Sequence, residues 1–201
     1  MLDNLISSLN LIIMQTQNNS AFLAAMLIIL WTVFFITRID KKLLYQLGIT
    51  PRKLNGLAGV IFAPFLHVNF NHLFFNCVPL VVLSNFILVY GLPYFLLVTV
   101  MITVLSGLAI WCFAKSGVHV GASGVITGYW AFLVSNIYQN GSLTAIILGL
   151  ISLYYFAGIF FGIFPNQKGV SWEAHLFGFL AGLATDYLLK YYPEYFTFIL
   201  V

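Results

Sequence analysis

Charge is what this 201-residue chain has least of. Lys, Arg, Asp and Glu together make up 6% of it, where a soluble domain carries about 25%. The deficit excludes a large water-facing surface and leaves one integral membrane domain as the economical reading. The net charge of +3 comes without any block of like charges, so no nucleic-acid partner is expected. Cysteine is nearly absent. Cys77 and Cys112 both lie in apolar runs and are read as packing residues that say nothing about redox compartment. The first twenty residues hold Asp3 but no Lys or Arg. They lack the basic n-region of a signal peptide, and the first apolar run is expected to be retained. No His-Glu-x-x-His occurs, and His67 and His72 are five apart and diverge on a helix, so no metal site is expected. No cofactor site is expected either.

What is abundant is apolar: 62% of the residues are hydrophobic. A hydrocarbon core about 30 Å thick needs about 20 apolar residues in a helix. Six segments qualify: Ala21 to Thr37, Asn69 to Tyr90 with Pro79 as an expected kink, Pro93 to Ala114, Ser123 to Tyr138, Leu143 to Phe164, and Trp172 to Tyr191. Breaks at Tyr90-Gly91-Leu92-Pro93 and Gln139-Asn140-Gly141-Ser142 separate them. The chain thus divides into a short N-terminal segment, 1–20, a six-helix membrane domain, 21–191, and a tail, 192–201. The connection Arg38 to His67 carries a late apolar piece, Gly56 to Pro64, that is too short to span and is expected in the interface or partly re-entrant.

Crossing number puts polar residues together. Segments two, four and six start on the same side of the membrane, and their first turns hold His72 and Asn76, then Ser123, then His175. At about 1.5 Å per residue, each lies within roughly 10 Å of its helix start. Serine needs a base to become a nucleophile, and histidine is the usual one. Ser123 sits in Gly121-Ala122-Ser123-Gly124, with Gly128 four residues beyond Gly124; His175 is followed by Gly178 and Gly182. Two small-xxx-small faces pressed together would bring Ser123 and His175 within reach of each other. Glu173 points away from the His175 face, Asp186 is about 16 Å further along the helix and Asp40 lies in the long connection, so a Ser–His dyad is expected by elimination. His72 and Asn76, at i and i+4, share a helix face and can donate to a developing oxyanion, as can the Ser123 N–H at a helix start.

His72-Leu73-Phe74-Phe75-Asn76, Gly121-Ala122-Ser123-Gly124 and Ala174-His175 with Gly178 and Gly182 resemble the rhomboid intramembrane serine proteases over roughly residues 48–190. The resemblance implies an all-α bundle of six transmembrane helices around a water-filled cavity, with a partly submerged loop between the first two. It implies Ser123 as nucleophile, His175 as general base, and His72 and Asn76 as oxyanion support. Segment five and the loop Pro165 to Ser171 would form a lateral gate and cap. Partners would be transmembrane protein substrates and the lipid bilayer, in a multi-pass protein of the bacterial inner membrane. Thr127 stands where the family often has an aromatic stacked on the histidine, and the first loop lacks the Trp-Arg pair of some members. Arg38, Lys41, Lys42, Arg52, Lys53, Lys115 and Lys168 fall on the active-site side, which the positive-inside rule would place in the cytoplasm, opposite to the family topology. Two other readings stand beside the protease: an inactive protein of this shape that binds membrane helices, and a metal-dependent membrane hydrolase.

Overall fold

A computed structural model describes residues 2–165 and 171–196. Those residues are helical apart from turns, loops and one isolated bridge between Ile49 and His119. Helix α1 spans Leu2–Ile39. It runs through residues 2–20, expected as a separate segment, because no Gly or Pro interrupts the polar stretch Gln15 to Ser20. The connection that follows holds α2 (Lys42–Leu47), a 3-10 turn (Leu54–Gly56), α3 (Gly59–Phe62) and a second 3-10 turn (Ala63–Phe65). Its apolar piece docks against the bundle: Val60 lies so close to Gly107 that a side chain at 107 would collide with it.

Helices α4 (Phe70–Leu88), α5 (Leu92–Phe113), α6 (Ser123–Gln139), α7 (Leu143–Phe156) and α8 (Trp172–Tyr191) complete the order. Asn69 caps α4 by accepting from the His72 N–H at 2.8 Å, and α4 continues through Pro79. Ser142 caps α7, and Ser171 caps α8. Segment five changes character partway: after Phe156 the chain tightens into a 3-10 stretch, Ala157–Ile163, that contains two glycines. The loop expected as a cap falls mostly on residues 166–170, and with Lys168 it lies outside the described residues.

Among the described residues, four stretches are long and apolar enough to cross a membrane: α1, α4, α5 and Leu143–Ile163. Helix α6 is too short for that measure, and α8 carries Glu173, Asp186 and Lys190. Position accounts for α6. Every residue from Gly124 to Leu133 is buried, so α6 is surrounded by protein rather than lipid. Tyr129 hydrogen-bonds Thr99 of α5 at 2.7 Å, and Trp130 Nε1 donates to the Ser152 carbonyl of α7 at 3.1 Å. Outward-facing residues on the surrounding helices are large and apolar, among them Ile28, Phe75, Val78, Val100 and Leu150. That is the surface of an integral membrane protein.

Candidate active site

Backbone contact between α6 and α8 builds the site. A Cβ at Gly178 would run into the Gly124 carbonyl, and one at Gly182 into the Gly128 carbonyl. A Cβ at Gly124 would stand 3.1 Å from the Ala174 carbonyl oxygen. Only glycine allows this approach. It sets the first turn of α6 against the first turn of α8, and hence Ser123 beside the segment that carries His175.

Both residues line one cavity of about 660 Å³, together with His72 and Asn76 of α4. The four expected site residues are therefore brought together on one side of the bundle. Ser123 and His175 line that space without a hydrogen bond between them, as is common before substrate binds. Ser123 is the first residue of α6, so its N–H lacks an intrahelical partner and lies at the positive end of the helix dipole.

A set of contacts around Gly121 and His67 supports these groups. Gly121, at φ 121°, donates its N–H to the Ala63 carbonyl at 2.9 Å. A Cβ at Gly121 would fall 2.6 Å from the His72 ring, so glycine is required there twice over, by backbone angle and by space. His67 stands behind, 1% exposed, with its ring edge-on to His72 at 5.1 Å between centroids. Its Nε2 lies 3.1 Å from Asn76 Nδ2 and 3.4 Å from the Ala122 N–H. Both partners are donors, so Nε2 accepts and the proton sits on Nδ1. One Asn76 N–H is thereby held by His67 and the other is left for the cavity. His67 lies in the turn before α4. Burial, and then the neighbouring His72, lower its pKa from 6.5 to about 4, which keeps the ring neutral. His67 is a loop residue, and its ring serves the site through Asn76 and the residue before Ser123.

No aromatic ring stacks on His175 among the described residues. Thr127, fully buried, donates its hydroxyl to the Ser123 carbonyl at 2.8 Å. The His175 ring instead meets Gly162 of the 3-10 stretch, where a Cβ would come 3.2 Å from Cγ. Its Nδ1 is buried without an aligned hydrogen bond, and the Ser171 carbonyl one turn earlier is the backbone group that bears on the ring. Gly162 gave no signal in the sequence, because its relation to His175 depends on the turn after α7. Glu173 is buried and its side chain does not line the cavity; Asp186 is also buried, near Ser135 and Lys190, so neither carboxylate serves His175. Among the described residues, no three His, Cys, Asp or Glu side chains gather as metal ligands would.

A family model described as Rhomboid domain matches residues 55–192. Uncharacterized proteins of Mycobacterium tuberculosis and Mycobacterium bovis are each 39% identical to this chain over 172 residues, covering 81% of it and 71% of their own lengths. An uncharacterized protein of Mycobacterium leprae is 35% identical over 172 residues, covering 68% of its own length.

Proposed function

The chain belongs to the rhomboid family, and on that premise we propose that it is an intramembrane serine protease that cleaves transmembrane segments of other membrane proteins. The observation that carries this is the joint opening of Ser123, His175, His72 and Asn76 onto one cavity, at the ends of helices held together by glycine. Ser123 Oγ attacks the scissile carbonyl and His175 takes its proton, later returning it to the leaving amine. The developing oxyanion is met by the free Asn76 amide proton, His72 and the Ser123 N–H. Water reaches the acyl-enzyme through the cavity. The architecture is six crossings with α6 at the centre, and the location is the inner membrane of a bacterium, as the mycobacterial relatives suggest.

The test is labelling of the detergent-purified protein by a fluorophosphonate, with cleavage of a single-span substrate measured in parallel. Wild type should label, and Ser123→Ala and His175→Ala should neither label nor cleave. Asn76→Ala should keep its fold and lose about 10²–10³ in rate, the usual effect of one oxyanion donor. Wild-type cleavage by Ser123→Ala would overturn the mechanism. A folded wild type that neither labels nor cleaves would favour the helix-binding reading.

A further inference from the structure

His119 lies four residues before Ser123, in the loop between α5 and α6, and belongs to neither the dyad nor the oxyanion donors. Its backbone is pinned: its N–H donates to the Ile49 carbonyl at 2.9 Å, and its carbonyl accepts from the Ile49 N–H at 3.0 Å. Its ring is held at both nitrogens. Nε2 is 3.0 Å from the Lys115 carbonyl, and Nδ1 is 2.9 Å from Ser171 Oγ, 52 residues away in sequence. A carbonyl can only accept, so Nε2 carries the proton in the neutral ring and Nδ1, at 2.9 Å, is the nearer acceptor for the Ser171 hydroxyl, ahead of Glu173 Oε2 at 3.5 Å. Ser171 Oγ in turn accepts the Ala174 N–H at 3.3 Å, which is the N-cap of α8.

These contacts end at the base. Ser171 is fixed through its side chain by His119, and its carbonyl bears on the His175 ring one turn later. His175 has no acidic partner, and Thr127 offers no ring to stack on it. Its orientation therefore depends on where the first turn of α8 is held. The dyad is formed by two helices that start from separate loops, and His119 ties the loop before one to the cap of the other by a hydrogen bond, beside the Lys115 ammonium that lies 5.9 Å from the Trp172 ring at the start of α8.

We propose that His119 is a positioning residue: by gripping the cap serine Ser171, it registers the first turn of α8 and sets His175 toward Ser123. The inference rests on the protease reading for its effect on rate, but the His119–Ser171 strut is a structural feature with its own readout.

The experiment compares His119→Asn, His119→Gln and His119→Ala in the full-length protein. An Asn oxygen can stand where Nδ1 stands and accept from Ser171; a Gln reaches toward Lys115 instead. His119→Asn should keep kcat within about twofold of wild type, while His119→Gln and His119→Ala should lose about tenfold or more in kcat at unchanged KM. Amide exchange at Ala174 and His175 should follow the same order, slow in wild type and His119→Asn and faster in the other two. Should His119→Gln fail to fold, Ser171→Thr against Ser171→Ala repeats the comparison from the other end, with the hydroxyl-bearing variant expected to retain kcat. Equal kcat and equal exchange across the His119 variants would overturn the strut. No labelling or cleavage in any variant, with the exchange order intact, would overturn the protease reading and leave the strut standing.

Discussion

Asn76 is aimed by an imidazole that must stay neutral. His67 Nε2 accepts from Asn76 and from the Ala122 N–H, and a proton placed there would turn that acceptor into a donor facing two donors. Its folded pKa of about 4 lies below the unperturbed 6.5, mainly because the ring is buried and then because His72 is near. Between those values the unfolded chain binds the extra proton, so the contribution to stability is whole above pH 6.5 and is lost as pH falls toward 4. The melting temperature should decline over that window in wild type. His67→Gln, whose amide oxygen can accept without titrating, should flatten the decline. An unchanged slope in His67→Gln would show that other groups carry it. Ser123, His175, His72 and Asn76 were legible as motif residues because each sits in the first two turns of its helix with a characteristic neighbour. His67 and Gly162 were not, since their roles depend on partners that only the folded chain brings near.

Helix pairing was legible to the extent that glycine spacing encodes it. Gly124 and Gly128 on α6, with Gly178 and Gly182 on α8, were expected to press together, and their backbones do meet. The ends of α4, α5, α6 and α8 fall close to the expected limits because Asn, Gly-Leu-Pro and Ser signals mark them. The N-terminal reach of α1 and the early change of α7 into a 3-10 stretch were not legible. The first lacks any breaker, and the second follows from a Phe- and Gly-rich run whose apolarity reads as more helix. The glycine face gives a sharp prediction. In Gly178→Ala the new methyl group meets the Gly124 carbonyl with backbone on both sides, so the helices must separate. A cost of about 1–3 kcal/mol is expected, as for overpacked cores, seen as a lower melting temperature together with loss of fluorophosphonate labelling. Gly158→Ala, where the added methyl group meets open space, should leave the melting temperature unchanged. Equal melting temperatures for the two variants would mean that the α6–α8 contact yields without cost.

At the scale of the whole molecule, the open choice is how the bundle sits in the bilayer. Two of the helices that form the site, α6 and α8, are the ones whose length and composition do not by themselves mark a membrane span. In α6 this follows from its place: a helix enclosed by others needs no lipid-facing apolar surface, and 17 residues reach about 25 Å. If α6 nonetheless crosses, Gly117 and Gly141 lie on opposite sides. Both are exposed, with open space around them, and so suit a reporter insertion. The basic residues near Gly117 would draw that side toward the cytoplasm. One of them, however, is already engaged: Arg52 Nη1 donates to the Cys112 and Ala114 carbonyls at 3.2 and 2.8 Å, closing the C-terminal end of α5. A charge held at a helix end is a weaker topological signal than a free one. With that signal weakened, the topology implied by the rhomboid resemblance is the one we expect, and side-sensitive reporters should place Gly117 outside the cytoplasm and Gly141 within it. Reporters on one and the same side would remove α6 as a crossing and with it the six-helix arrangement, while opposite sides with Gly117 in the cytoplasm would keep the crossing and turn the cavity inward.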